Sequence, residues 1–301
     1  MRSRRQAETR PRRTLRRAGA GPLAALTLAA APAAAADLRH SLEAGWHHDD
    51  NVGRALGTAA PIADHSLRVA LGSRWRADLH PHLRLVLAAG LSGEKFQHVE
   101  GLDRVGVDAT ATLRYRADAG YRTPTWSVFV RAARDDYASA LRDGTRWVAG
   151  ASVRQPITDR LEVALGLQTT RREARSGVFD GADRALRLDL DWMPADHHAL
   201  RLGTEARRGD LVSTGAPRQW VGGVRGEWVR DDALSGDRPL WAYRFRGDTV
   251  IASAGWNWNF TPGQSFDLAV SRARSRAESA PASGGAGYIA TRVDLAWLLL
   301  F

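Results

Sequence analysis

The last nine residues constrain the fold of this chain more than any other segment. Counting back from the C-terminus, every second residue is large and apolar, through Phe301, Leu299, Trp297, Leu295 and Val293. Charged residues stand between them at Asp294 and Arg292. Side chains of a β-strand point alternately to the two faces of a sheet. One face of this strand therefore contacts an apolar environment, and the other face tolerates charge.

The same alternation recurs in segment after segment downstream of residue 37, without a convincing helix. Between Leu67 and Trp75, for example, apolar residues alternate with Arg68 and Arg74. The segments are roughly 11–14 residues long, whereas strands in soluble proteins average about 5–6 and about 9–11 residues cross a bilayer at a tilt. The polar face is also dense in arginine and aspartate. Both features favour a membrane barrel over a soluble β-sandwich.

The predicted fold class is therefore all-β, a transmembrane antiparallel up-and-down β-barrel. An apolar strand that ends in a C-terminal phenylalanine resembles the closing strand of bacterial outer-membrane β-barrels. In that family this strand is the signal read by the barrel-assembly machinery, so Phe301 is the predicted assembly signal. The resemblance implies a place in the outer membrane of a Gram-negative bacterium. It also implies contact with outer-membrane lipid and lipopolysaccharide.

Turn signals give the expected number of strands. Short polar turns at 78–81, 155–160, 193–198 and 261–264 alternate with longer connections, as in barrels with short periplasmic turns and long outer loops. The stretch 233–248 is ambiguous. A turn at 231–238, a short strand at 239–246 and a tight turn at Gly247-Asp248 make about fourteen strands. Twelve is the alternative, because bacterial single-chain barrels have even numbers of strands.

The first 36 residues have the pattern of a cleaved secretory signal. Eight arginines and one glutamate precede a short apolar run and an alanine-rich end, and we place the cleavage after Ala36. The run is too short and too rich in alanine for a good membrane span. The general secretory route is favoured over the twin-arginine route, because a barrel crosses the inner membrane unfolded. Residues 37–301 are then a single barrel domain.

Net charge argues against a nucleic-acid-binding protein. The whole chain carries +10, but the predicted signal holds most of that excess. Nearly all basic residues are arginine, and Lys95 is the only lysine. The chain has no cysteine, which excludes disulfides and thiolate metal sites. No cofactor and no metal are expected.

Tryptophans are predicted to mark the membrane interfaces. Indole rings favour the boundary between lipid headgroups and hydrocarbon. Core packing is the alternative explanation, but small residues occupy the middle of the same strands. The predicted aromatic girdle comprises Trp126, Trp147, Trp192, Trp228, Trp256, Trp258 and Trp297.

The inward face is the candidate functional surface, and it is predicted to carry more arginines than acids. A hydrated lumen with excess arginine would favour anions. Alternatively, ladders of arginine and aspartate could fill the lumen and brace the wall, because unpaired buried ions are costly. The predicted lumen-lining residues are Arg74, Arg76, Arg84, Asp108, Arg114, Arg131, Glu162, Arg187, Asp189, Arg201, Glu205, Arg225, Glu227, Arg244, Arg292 and Asp294.

The first connection contains a second cluster of chemically active side chains. Imidazoles and carboxylates could bind a divalent ion or run acid–base chemistry, but hydrated turn residues explain the pattern more simply. No nucleophile motif and no H-E-x-x-H sequence supports an enzyme. An outer-membrane hydrolase with a rim site is the least favoured function. The cluster consists of His47, His48, Asp49, Asp50, Asn51 and His65.

The segment Gly45–Val52 supports one finer resemblance. Its sequence, Gly-Trp-His-His-Asp-Asp-Asn-Val, resembles the first strand of the C-terminal barrel in surface lipoprotein assembly modifiers, and related barrels encoded with exopolysaccharide systems. That resemblance implies export or assembly of a surface lipoprotein or polysaccharide. The leading prediction is a porin, a pore for transport of small solutes with a preference for anions and not an enzyme. A monomer is slightly favoured.

Overall fold

The computed structural model describes residues 37–56, 61–215, 227–236, 239–278 and 287–301, and most of this backbone is extended. The predicted signal lies outside the described residues. Three short 3₁₀ helices span Glu100–Leu102, Ala140–Arg142 and Gly177–Phe179. The strands are β1 (Asp37–Asp49), β2 (Asp64–His80), β3 (Leu83–Phe96), β4 (Arg104–Arg116), β5 (Thr125–Tyr137), β6 (Gly144–Thr158), β7 (Leu161–Ala174), β8 (Gly181–Ala195), β9 (His198–Gly215), β10 (Trp228–Arg230), β11 (Trp241–Thr261), β12 (Gln264–Ala277) and β13 (Ile289–Leu300).

Antiparallel pairing closes these strands into a barrel. Each long strand pairs with its neighbours in the sequence, β13 returns to β1, and β9 pairs directly with β11. The three-residue strand β10 pairs with the start of β11 and stays outside this ring. The ring therefore has twelve strands. The predicted all-β antiparallel barrel is confirmed with the alternative number of strands, and the preferred number of fourteen is wrong.

The predicted number of fourteen strands was wrong because of the stretch 233–248. Gly247 and Asp248 do not form a turn, because they lie inside the continuous strand β11. Asp248 pairs with Arg208 of β9 on one side and with Arg276 of β12 on the other. A residue with ladder partners on both sides is in the middle of a sheet. The predicted short strand 239–246 is therefore the beginning of β11.

Connections differ in length at the two ends of the barrel. At one end the turns are short, with two residues between β2 and β3 and eight between β4 and β5. The chain enters β1 and leaves β13 at this same end. Longer connections, such as residues 50–63 between β1 and β2, lie at the other end. In outer-membrane barrels the short turns face the periplasm, so we name the two ends periplasmic and extracellular.

The outer wall is apolar, as a bilayer requires. Leu67, Val69 and Leu71 of β2 are each at least half exposed, and exposed apolar side chains continue around the ring. A closed barrel satisfies every strand edge internally, which is why barrels can cross membranes. This architecture places the protein in the outer membrane, in agreement with the prediction. No helix in the described ranges is long and apolar enough to cross a bilayer.

Buried apolar clusters are concentrated at the extracellular end. Three clusters are built around Leu56 with Tyr243, around Val99 with Leu234, and around Phe179 with neighbouring residues. All three include residues of the connections and not only of the strands. The periplasmic half of the barrel is instead lined by charged residues. The two ends of the lumen therefore have different surroundings.

Candidate functional site: the lumen and its extracellular mouth

Most predicted lumen residues lie on one face of their strands, opposite the exposed apolar side chains. Buried polar residues such as Ser66, Glu205 and Thr249 share this face, as expected for the inside of a barrel. The residues placed on it are Arg74, Arg76, Arg84, Asp108, Arg114, Arg131, Glu162, Arg187, Asp189, Arg201, Glu205, Arg292 and Asp294.

Three predicted lumen residues are not placed there. Arg225 lies outside the described residues. Glu227 precedes β10 in a connection at the extracellular end, and its carboxylate lies 3.5 Å from the Arg244 guanidinium. Arg244 itself lies on the outward face of β11, because Tyr243 and Phe245 on either side are buried inside. The inward position predicted for Arg244 is therefore wrong. The prediction placed a turn at 247–248, so the alternation of residues 241–246 was not read as part of one continuous strand with the residues that follow.

In the central and extracellular parts of the lumen, many arginines are paired with acids. Arg131 binds Asp108 at 3.1 Å, and Arg187 binds Asp189 at 2.7 Å. Further pairs join Arg104 with Glu94, Arg207 with Glu205, and Arg292 with Asp294. The pairs Arg131–Asp108 and Arg104–Glu94 join neighbouring strands. The other three pairs each lie within one strand and neutralise charge on the wall.

The periplasmic part of the lumen has a different balance. The lumen face of four consecutive strands, β1 to β4, carries five arginines at this end, here called the arginine cluster: Arg39, Arg74, Arg76, Arg84 and Arg114. Arg39 is directly opposite Arg74 in the ladder, and Arg84 is directly opposite Arg114. Directly opposed residues of antiparallel strands have Cα atoms about 4.5–5.5 Å apart, and like charges there repel.

Acids neutralise the arginine cluster only in part. Asp37 is shared by Arg39, at 2.9 Å, and Arg76, at 3.8 Å. Asp78 binds Arg84 at 2.5 Å. Within the described structure, Arg74 and Arg114 form no ion pair, and the charged groups acting on Arg114 are other arginines. The cluster therefore holds positive charge that the protein leaves unbalanced.

An acidic counterpart lies farther around the same end. Arg154 binds Glu162 at 2.5 Å and Asp191 at 3.8 Å. Arg201 binds the same Asp191 at 2.6 Å. These charges compensate one another. The unbalanced positive charge is therefore localised on the β1–β4 side of the lumen.

A connection crosses the extracellular mouth. Residues 231–236, here called the crossing segment, belong to the connection between β9 and β11. Leu234 of this segment packs against Val99 and Leu102, which belong to the connection between β3 and β4. Six strands separate these two connections in either direction around the ring. The crossing segment therefore reaches the opposite side of the barrel.

Asp231 anchors this segment. Its side chain is fully buried, and one carboxylate oxygen accepts hydrogen bonds from Arg142 and from the Thr214 hydroxyl, both at 2.7 Å. Arg142 also stacks on the Phe179 ring at 4.2 Å. Sequence reasoning missed this residue and treated it as part of a turn. The isolated apolar Leu234 in a polar connection was the available signal for a packed segment.

The absence of a side chain at Gly101 permits the close approach of the crossing segment. A Cβ atom at this position would overlap the Cα atom of Ala233. The Ser139 hydroxyl binds the carboxylate of Asp232 nearby. The crossing segment is therefore held by the β3–β4 connection and by the β5–β6 connection. Its position depends on specific contacts.

The first loop adds a second layer to the mouth. Its Gly53 carbonyl accepts a hydrogen bond from the Thr214 backbone at 2.8 Å, and the Arg54 carbonyl accepts one from the Ser213 hydroxyl at 2.6 Å. The Arg54 guanidinium binds Asp49 at 2.7 Å. Burial alone would lower the pKa of Arg54, but the hydrogen bonds and the charge of Asp49 outweigh it and the pKa is raised.

The predicted histidine and aspartate cluster is divided between two faces. His47 points inward and binds Asp294 and Arg292. His48 and His65 point outward, with ring nitrogens 3.2 Å apart, and Trp46 stacks on His65. These groups do not converge on a common position. In the described part of the chain, no group of three or more histidine, aspartate or glutamate residues could hold a metal ion.

The acidic residues of this cluster organise the loop. Asp50 accepts a hydrogen bond from the Thr291 backbone at 2.7 Å. The Asn51 side chain accepts one from the Ala55 backbone at 2.7 Å and donates one to the Ile289 carbonyl at 3.0 Å. Asn51 is almost completely buried. These contacts account for the Asp-Asp-Asn sequence as a loop cap.

Aromatic residues lie near both ends of the outer wall. Trp126, Trp192, Trp256, Trp258 and Trp297 are close to the periplasmic ends of their strands, while Trp147 is close to the extracellular end. Trp228 is not on the outer wall, because it is directly opposite Tyr243 in the ladder and shares the inward face of that residue. Phe301 is paired through its backbone with His40 of β1. Its ring is exposed. Recognition of Phe301 by the assembly machinery stays a prediction.

Comparisons with known proteins support the fold. No family model and no curated protein matches the chain. Its structure is similar to that of an outer membrane channel from Pseudomonas putida F1, with a TM-score of 0.57 and 12% identity over 87% of this chain and 95% of that chain. The anion-selective porin from Comamonas acidovorans aligns with a TM-score of 0.40 and 10% identity over 88% of this chain and 99% of that chain. At 12% identity, the likeness to the Pseudomonas putida F1 channel concerns the barrel fold alone.

Proposed function

We propose that this protein is an outer-membrane channel for small anionic solutes, and not an enzyme. The observation that carries the proposal is the arginine cluster, in which Arg74 and Arg114 have no acidic partner in the described structure. Rings of arginine or lysine select anions in pores. The structure around them is otherwise rich in ion pairs, so the local excess is a specific feature of this end.

Repulsion within the cluster supports a role in binding. Directly opposed arginines cost stability unless water or an anion screens them. An anionic solute entering from the periplasmic end would meet this cluster first. Beyond it, the wall is neutralised by ion pairs, which lets the solute leave the cluster. Conduction requires binding that is strong enough for entry and weak enough for release.

The crossing segment supports a restricted extracellular mouth. It spans the opening at the level of the connections and is anchored by Asp231. We propose that this segment limits passage when it is seated and that its displacement widens the path. The sequence left two alternatives open, a hydrated pore and a lumen filled by ion pairs. In this proposal the hydrated pore applies to the periplasmic end, and the ion pairs apply to the rest of the lumen.

The test is ion selectivity in planar lipid bilayers. The refolded protein should show a reversal potential of anion-selective sign in a potassium chloride gradient. Replacing Arg74 and Arg114 by glutamine should lower the anion-to-cation permeability ratio by about thirtyfold, since each of the two unit charges at ~4 Å in water contributes about 1 kcal/mol. Arg134→Gln is the matched control, because Arg134 lies on the outer wall beside Asp136.

Two outcomes would reject the proposal. Clear cation preference of the wild-type channel contradicts the role of the cluster. Absence of conductance, both in the wild type and in a variant whose crossing segment is released, contradicts a channel altogether.

The other candidate functions lack a separate structural observation. The resemblance of Gly45–Val52 to surface lipoprotein assembly modifiers stays a prediction, and the acids of this segment already have roles in the first loop. A rim hydrolase would require His47 and Asp50 to act together. His47 instead contacts Asp294 in the lumen, and Asp50 contacts the backbone of Thr291.

A further inference from the structure

Basic residues form a patch on the lipid-facing side of the barrel near its extracellular end. Five arginines on the strands β8, β9 and β12 are exposed and share the face of the outward apolar residues. We name this set the outer arginine patch. It consists of Arg184, Arg208, Arg272, Arg274 and Arg276.

The strand register aligns these residues around the wall. Arg184 of β8 is opposite Arg208 of β9, Arg208 is opposite Asp248 of β11, and Asp248 is opposite Arg276 of β12. With strands about 4.8 Å apart, this row extends over roughly 15 Å. Arg274 and Arg272 continue from its end toward the middle of the membrane.

Few acids balance the outer arginine patch. Arg208 binds Glu278 and lies 3.7 Å from Asp248. Arg184, Arg272, Arg274 and Arg276 have no ion pair or side-chain hydrogen bond in the described structure. An arginine on the lipid face is most costly at the bilayer midplane, and the cost becomes small near the interface. A cluster at this depth is favourable where anionic headgroups meet it.

An apolar groove of about 700 Å³ lies directly beneath the row. Alanines in place of larger side chains make a depression between neighbouring leucines and valines on the wall. Arg184, Arg208 and Asp248 form the upper edge of the same groove. The groove is lined by Ala149, Ala151, Leu167, Leu186, Ala206 and Val250.

We infer that this surface binds a lipopolysaccharide molecule of the outer leaflet, with its lipid phosphates on the outer arginine patch and an acyl chain in the groove. Arginine pairs well with phosphate, through two parallel hydrogen bonds. A row of roughly 15 Å exceeds what a single phosphate can cover, so a lipid with more than one phosphate fits the patch. The inference is independent of the channel, because the patch and the lumen lie on opposite faces of the wall.

Binding of purified lipopolysaccharide to the refolded barrel in detergent micelles tests this inference. The variant Arg184→Gln/Arg274→Gln/Arg276→Gln removes three unpaired charges. Each basic residue near an anionic membrane surface contributes about 1 kcal/mol, so binding should weaken on the order of a hundredfold. Arg134→Gln, on the far side of the outer wall, should bind as the wild type does. Retained heat-modifiable gel mobility shows that each variant is folded.

Two further ligands separate phosphate recognition from general attraction. Enzymatically dephosphorylated lipopolysaccharide should bind the wild type as weakly as the triple variant binds the intact lipid. Phosphatidylglycerol, with one phosphate, should bind far less tightly than lipopolysaccharide. Equal binding by the wild type and the triple variant would overturn the inference, and so would equal binding of the two phosphorylated lipids.

Discussion

Replacing Asp231 by alanine is expected to release the crossing segment from the extracellular mouth. Asp231 is fully buried, and its carboxylate binds the Arg142 guanidinium and the Thr214 hydroxyl at 2.7 Å. The substitution removes both contacts and leaves Arg142, which is only 14% exposed, without its carboxylate partner. The barrel strands keep their own ladders. The effect should therefore fall on the position of the segment more than on the stability of the barrel.

The magnitude follows from the burial of this pair. Removing one partner of a buried ion pair costs about 3–5 kcal/mol. The lower value applies here, because Arg142 keeps its stacking on Phe179. A loss of about 3 kcal/mol corresponds to roughly a 150-fold change in an equilibrium constant. The ratio of displaced to seated crossing segment should rise by that factor.

Single-channel recording measures this shift toward the displaced crossing segment as a longer open time of the channel at fixed voltage. Asp232→Ala is the matched control, since Asp232 is exposed and, among the described residues, its side chain is hydrogen-bonded to the Ser139 hydroxyl alone. An exposed contact is worth about 1 kcal/mol or less, so the control should change the open time by less than about fivefold. The two neighbouring aspartates separate the buried anchor from a general loss of negative charge.

A second variant approaches the crossing segment from the opposite loop. Gly101→Ala places a methyl group where Ala233 now packs, so the segment must move although Asp231 is intact. It should lengthen the open time in the same direction. If Asp231→Ala and Gly101→Ala both fold and both gate as the wild type does, the crossing segment does not control the mouth and the reasoning is refuted.

Three other predictions concern folding and assembly. Gly209→Ala should destabilise the barrel by about 2–3 kcal/mol in urea titrations in lipid, because Gly209 has a φ of 157° and a Cβ there would overlap the Ala182 carbonyl; Gly93→Ala, which meets nothing within 4 Å, should be nearly neutral. Deletion of Phe301 should reduce insertion in cells but not refolding into detergent, as gel mobility would show; equal losses in both assays would contradict an assembly signal. N-terminal sequencing of protein from outer membranes should begin at Asp37, and a start elsewhere would move the predicted cleavage.

Local alternation was sufficient to predict the wall of this barrel. The outward position of Leu67 and the inward position of Arg68 follow from the two-residue period of a strand alone. The same rule already separates His47 from His48, since adjacent residues in a strand face opposite ways. The cluster in the first loop was therefore a product of proximity in the sequence. Its members meet different partners in three dimensions.

Residue types that favour turns gave a wrong prediction where backbone pairing in the sheet determines the conformation. Gly247-Asp248 has the composition of a tight turn, yet backbone pairing on both sides keeps it extended. The inward placement of Arg244 failed for the same reason. The anchor at Asp231 could not be predicted, because its partners Arg142 and Thr214 are brought together only when the ring closes. Contacts across a barrel mouth have no local sequence period.

The opposed arginines at the periplasmic end also link ligand occupancy to thermodynamics. Mutual repulsion between Arg84 and Arg114 is part of the free energy of the empty barrel. A multivalent anion that relieves it stabilises the native state by mass action, in proportion to the logarithm of its concentration above its dissociation constant. The melting temperature of the barrel in a panel of oxyanions would then rank them by their affinity for this end of the lumen. Because of this repulsion, the thermal stability of the barrel depends on whether an anion is bound in the lumen.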